Sequence, residues 1–174
     1  MERLKGERCY LRALEPEDLE FLYLLENDPA IWEVSGTITP YSKFLLQQYL
    51  EHAHRDIYEV KQLRLAICTN DDVIIGLIDL FDFDPKNRRA GLGIVVLENA
   101  KRNKGVGGEA MRLLMEYAFS TLDLRQLYAN VGTDNAVSIH LFEKLGFDRV
   151  GVKKDWIFTD GSFKNEILFQ KIHT

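Results

Sequence analysis

The chain predicts a mixed α/β (α+β) domain in which helices lie on both faces of one sheet. Three observations carry that expectation. Segments with strand character and segments with helical spacing alternate along the chain. The apolar run Ile94-Val95-Val96-Leu97 leads through a glycine-rich turn into an amphipathic helix. The chain then closes on a hairpin around Asp160-Gly161, a strong turn dipeptide. A length of 174 residues suits one domain with a single core.

Each element has its own signal. Residues 8–12 alternate polar and apolar side chains and predict a first strand. Glu15-Pro16-Glu17-Asp18 opens a helix, with proline in the first turn and acids at the positive end of its dipole. Leu19, Leu22, Tyr23 and Glu26 follow helical spacing until Asn27-Asp28-Pro29 stops it. Residues 31–41 read as irregular. A second helix is expected over 42–56, with Phe44, Leu45, Tyr49 and Ala53 as its apolar positions. Residues 63–68 and 73–83 form a hairpin around Thr69-Asn70-Asp71-Asp72, and 89–97 form the next strand. The helix over 105–121 carries the stripe Val106, Ala110, Leu113, Leu114, Tyr117 and Ala118. Residues 126–131 predict a strand, 135–145 a helix, 147–152 a strand, and 156–158 with 164–172 the closing hairpin.

Composition excludes several function classes. An apolar share of 46% and a charged share of 28% are ordinary for a globular protein. A net charge of −5 argues against non-specific nucleic-acid binding and suits a cationic substrate. No apolar run approaches the roughly 20 residues that span a bilayer. Met1-Glu2-Arg3-Leu4-Lys5 leads into no targeting segment, so no membrane partner and a cytoplasmic location are expected. Cys9 and Cys68 have no metal or redox spacing and read as two reduced thiols in or near strands. His52 and His54 lack the spacing of a helical metal site, and no metal is expected.

The turn Arg102-Asn103-Lys104-Gly105-Val106-Gly107-Gly108 is the most informative stretch. Amides in the first turn of a helix have no intrahelical partners, and the dipole favours an anion there. Glycines at 105, 107 and 108 remove side chains that would hold a pyrophosphate away, and Arg102 and Lys104 add positive charge. No Gly-Lys-Ser/Thr follows, and the spacing is not Gly-x-Gly-x-x-Gly. The pattern Arg102-x-x-Gly105-x-Gly107 resembles the acetyl-CoA signature of the GNAT acetyltransferases. A second block, Asp134-Asn135-Ala136-Val137-Ser138 through Lys144-Leu145-Gly146-Phe147, resembles that family's second motif.

The resemblance implies a GNAT fold: a mixed, mostly antiparallel central sheet splayed between its fourth and fifth strands. It implies acetyl-CoA as co-substrate, with the pantetheine arm in that gap and the thioester carbonyl near the backbone N–H of Val96 or Leu97. An amide fixed at a developing oxyanion lowers a barrier by about 3 kcal/mol. The cofactor-binding set it implies is Val96, Leu97, Arg102, Asn103, Lys104, Gly105, Val106, Gly107, Gly108, Asn135, Ser138 and Phe142. Asn135 is also a natural helix N-cap. Many relatives carry a tyrosine seven residues after that asparagine to protonate the departing sulfur; here Phe142 stands there and has no proton to give. Ser138 is the candidate substitute, and a thiol pKa near 8.5 makes unassisted departure tolerable.

On the acceptor side, Asp79 lies in an otherwise apolar strand, where a carboxylate is costly unless paired or hydrated. An amine arriving as ammonium needs such a group to take its proton. Strand alternation puts Asp79 on the opposite face from Asp82 and Asp84 unless a bulge intervenes. Spermidine acetyltransferases carry glutamate at the positions matching Asp79 and Asp82, and Glu33 resembles an acidic substrate-loop residue of that branch. The resemblance therefore implies catalytic roles for Asp79, Ser138 and Val96, and substrate contacts at Glu33, Asp79 and Asp82. The expected activity is acetyl transfer to a primary amine such as a polyamine. A protein N-terminus, an aminoglycoside or a catalytically weak acyl-CoA sensor are the rivals. Relatives commonly form homo-oligomers, and no nucleic-acid partner is expected.

Overall fold

The structure, a computed structural model, describes residues 4–97 and 105–174. Its strands are β1 (Cys9–Ala13), β2 (Leu63–Thr69), β3 (Ile74–Asp84), β4 (Arg89–Val96), β5 (Gln126–Gly132), β6 (Asp148–Thr159) and β7 (Ser162–Ile172). Its helices are α1 (Leu19–Glu26), α2 (Pro29–Ser35), α3 (Lys43–Glu51), α4 (Ile57–Val60), α5 (Val106–Ser120) and α6 (Ala136–Lys144). The strands make one sheet in the order β1-β2-β3-β4-β5-β7-β6, with β4 and β5 parallel and the other neighbours antiparallel.

Period-two side chains divide the sheet into two faces. Ile78 and Leu80 of β3 join Met111, Leu114 and Ala118 of α5 and Phe142 and Leu145 of α6 in the larger core. Leu77, on the opposite face of β3, joins Leu22 and Leu25 of α1 and Leu46 and Leu50 of α3. Each fully buried Leu, Ile, Met or Phe among them contributes about 1.5–3 kcal/mol. Helices thus cover both faces.

Four expectations differ from the structure. The first part of the stretch expected to be irregular, 31–35, belongs to a helix that starts at Pro29: Asp28 caps it by accepting from the Ala30 N–H at 3.0 Å, and Gly36 closes it at φ 70°. Asn27-Asp28-Pro29 ends one helix and starts the next. The helix expected over 42–56 ends at Glu51, because Asp56 caps the separate turn α4 instead of extending α3. Its buried positions are Leu46 and Leu50, while Phe44 is 70% exposed. Finally, β6 runs unbroken through Lys153, Lys154 and Asp155 on a bulge. There Asp155 takes a φ of 48° and donates its N–H to Asn165 Oδ1 at 2.9 Å.

The glycine-rich helix and the terminal hairpin match the sequence reading. Gly105 sits at φ 99° ahead of α5, and Asp160 and Gly161 both take positive φ in the turn from β6 to β7. Cys9 and Cys68 are buried free thiols, and burial, with Glu109 nearby, pushes Cys9 up to about 12. Neither is placed to act as a nucleophile.

Candidate active site

The site begins where β4 and β5 part. Only Arg89, Ala90 and Gly91 pair with Gln126, Leu127 and Tyr128. Beyond Gly91, β4 remains paired with β3 while β5 continues along β7. The Leu97 N–H bonds to Ile75 O at 2.9 Å. Hydrogen bonding alternates along an antiparallel strand, so the Val96 N–H turns the other way, into the opening. Of the two amides expected at the thioester, Leu97 is already engaged and Val96 faces the gap.

A cavity of about 650 Å³ occupies that opening. Its walls are Ile94, Val95 and Val96 of β4, Gly105 to Gly108 and Arg112 of the α5 start, Asn135, Ser138, His140 and Leu141 of α6, and Ala30, Ile31 and Val34 of α2. Arg102, Asn103 and Lys104 lie outside the described residues. Gly105 needs its glycine, since φ 99° is left-handed backbone. Packing does not require the next two. A Cβ on Gly107 would come no closer than 3.9 Å to Ile94, and one on Gly108 no closer than 3.7 Å to Leu141. Glycine there leaves the amides of the first turn approachable from the cavity. Val106 turns its side chain into the core.

Glu109 anchors this helix start. Its carboxylate accepts backbone N–H bonds from Glu7 at 3.1 Å, Arg8 at 2.9 Å and Cys9 at 2.9 Å. Burial pushes the Glu109 carboxyl up, but these donors outweigh it and hold the group below the usual range. On the facing wall, Asn135 caps α6 by accepting the Ser138 N–H at 3.2 Å. Asn135 and Ser138 both line the cavity. Phe142 lies one turn further along and is 4% exposed, stacked on Phe169 at 5.8 Å and edge-on to Phe147 at 5.1 Å. Its ring is packed in the core.

Asp79 sits across from Gly93 of β4, and a Cβ there would approach its carboxylate to 3.0 Å. It is three residues along the ladder from Gly76, the partner of Val96, or about 10 Å at strand spacing. A proton moving between these places needs water. Burial raises the Asp79 carboxyl above the ordinary carboxylate range, opposed by Arg64 and by Gln62, whose Nε2 donates to Oδ2 at 3.4 Å. Asp82 occupies a bulge at φ 47° and is exposed. The bulge turns Phe83 to the face of Ile78 and Leu80, so Asp84 returns to the face of Asp79. Asp84 bonds to Asn87 and pairs with Arg89 at 3.3 Å. Glu33 pairs with Lys164 at 2.8 Å, and Lys164 also holds Asp134 at 2.6 Å. That lysine ties α2 to the loop before α6.

Sequence reasoning missed Gln62, Arg64 and Glu26 beside Asp79, and the α2 wall of the cavity. The first two were legible once the hairpin was placed, because its register sets Arg64 opposite Asp79. Glu26 and α2 were not, since only tertiary packing brings them in. Among the described residues, no group of three or more His, Cys, Asp or Glu could hold a metal ion, and no helix is long and apolar enough to cross a membrane.

Parted β-strands beside a glycine-rich helix start suit a long acyl-thioester cofactor carrying a diphosphate. The profile of the acetyltransferase (GNAT) domain family matches residues 8–148, and the chain belongs to that family. It is an N-acetyltransferase with acetyl-CoA as co-substrate. A spermidine N(1)-acetyltransferase of Escherichia coli (strain K12) is 30% identical over 158 residues, covering 90% of this chain and 82% of that protein. An uncharacterized prophage-derived N-acetyltransferase of Bacillus subtilis (strain 168) is also 30% identical, over 164 residues, covering 94% and 89%. A crystal structure of a spermidine N-acetyltransferase from Vibrio cholerae in complex with CoA and spermine shares the fold, with a TM-score of 0.86, 24% identity and 96% coverage of each chain.

Proposed function

We propose that the protein acetylates a primary amine of a polyamine such as spermidine. The observation that carries this reading is the meeting, in one cleft, of the gap-facing Val96 amide and the glycine start of α5, with Asp79 on the adjoining strand. The cofactor supplies an activated acetyl group on a thioester. The amides of the α5 start, with Gly105, Val106, Gly107 and Gly108, would receive its diphosphate, joined by Arg102, Asn103 and Lys104. Asn135 would contact the pantetheine arm. The Val96 N–H stabilises negative charge developing on the carbonyl oxygen. Asp79 accepts the proton of the arriving ammonium through water. Ser138 is the donor proposed for the departing sulfur, since the Phe142 ring has no proton to give.

A protein N-terminus is the second reading, and a specific observation favours it. Two of the three acids proposed to meet a polycation already have cationic neighbours: Glu33 pairs with Lys164, and Asp79 lies opposite Arg64. A monocationic acceptor needs less negative charge than a polyamine does.

One assay separates these readings. Thiol release is followed from acetyl-CoA with spermidine, with a panel of short peptides and with no amine. Turnover on spermidine and not on peptides supports the polyamine reading, and the converse overturns it. Binding of acetyl-CoA without turnover on any amine would point to a sensor. Asp79→Asn is expected to slow turnover about a hundredfold while acetyl-CoA binding stays intact. An unchanged rate would remove Asp79 from the mechanism.

A further inference from the structure

Asp79 belongs to a small polar cluster between the sheet and the α1–α3 layer. Arg64 faces it across the β2–β3 ladder. The Arg64 guanidinium turns toward the helices: its Nη1 donates to Glu26 Oε1 at 3.0 Å, and its Cζ lies 5.7 Å from the Tyr49 ring centroid, so it acts on Asp79 as a neighbouring charge across the ladder. Its Nε is buried and has no hydrogen-bond partner among the described residues. The groups around Asp79 are Arg64 from β2, Gln62 from the segment just before β2, Glu26 from α1 and Tyr49 from α3, while β4 places Gly93 opposite it. One cation lies between two carboxylates.

We infer that Arg64 is a positioning residue that maintains Asp79 as a carboxylate, and that Glu26 limits this hold by drawing the guanidinium toward α1. The inference rests on the reading that Asp79 takes the ammonium proton. A neighbouring cation stabilises the ionised form, and a neighbouring anion opposes it. Burial raises Asp79, Arg64 lowers it, and Glu26 raises it. Breaking the Arg64–Glu26 pair from its two ends must therefore act in opposite directions. A role confined to holding α1 on the sheet would give the same loss from either end.

The test is the pH dependence of kcat/KM, with the Asp79 carboxyl followed separately by carbon-13 NMR titration and assigned with Asp79→Asn. Arg64→Met is expected to move the acidic limb and the carboxyl titration upward by about one pH unit, so that turnover at the foot of the limb falls roughly tenfold. Arg64→Lys should restore most of the wild-type position. Glu26→Gln should move both downward. Acetyl-CoA binding and circular dichroism check that each variant is folded. Limbs that stay in place, or that move the same way in Arg64→Met and Glu26→Gln, overturn the role of Arg64 even where Asp79→Asn has lost activity. An Asp79→Asn variant at full rate overturns the base itself, and the inference falls with it.

Discussion

Ser138 and Phe142 lie on one face of α6, four residues apart, yet they end in different surroundings. Ser138 lines the cavity, whereas Phe142 is packed against Phe147 and Phe169. Ser138→Ala should lower kcat about tenfold and weaken acetyl-CoA binding by a smaller factor, as measured by steady-state kinetics and calorimetry. An unaltered kcat would remove Ser138 as the donor. Asp79 was legible as an anomaly, a carboxylate in an apolar strand. Arg64 was legible from the hairpin register, but Glu26 was not, because it comes to Arg64 from a helix 53 residues before Asp79 in the chain.

At the scale of the element, the cofactor role proposed for α5 carries a cost in stability. Gly107 and Gly108 lie inside the helix, where glycine is destabilising and where packing leaves room for a methyl group. Alanine at each should raise stability by about 0.5–1 kcal/mol and weaken acetyl-CoA binding about tenfold. Thermal unfolding and calorimetry read the two effects. A variant that is stabilised and binds as before would show that the glycines do not serve the cofactor. Glu109→Gln should cost about 1–2 kcal/mol, allowing for partial exposure of the three bonds it accepts. The sign with pH follows from its lowered pKa. The stability Glu109 contributes is fully present above the ordinary value of 4.5 and is lost as pH falls through its folded value. Urea titrations should therefore show the wild type and Glu109→Gln converging in acid.

For the whole molecule, the β6–β7 end of the sheet is unusually apolar for a surface. Val150, Val152, Trp156, Phe158 and Phe163 are each at least 48% exposed, and β6 is the edge strand. Such a patch marks an association surface. We predict a homo-oligomer, so light scattering should return a multiple of 20.1 kDa. Trp156→Asp with Phe158→Asp should reduce it to one chain, and a wild-type monomer would refute the proposal.

The periodicities, the glycine turn and the two motifs determined the mixed α/β class, the element order from residue 63 onward and the glycine-rich start of α5, because each is a short-range pattern. Residues 29–56 were less legible, since Asn27-Asp28-Pro29 ends and starts helices with the same chemistry, and exposed Phe44 and Leu45 hid the true stripe of α3. Only the tertiary structure decided that α2 forms a wall of the cleft. It alone brought Glu26 beside Arg64, turned the Val96 amide into the gap and packed Phe142 inward. The physical reason is that these features depend on which strands part and which helices meet across the sheet, and neither is written in local spacing.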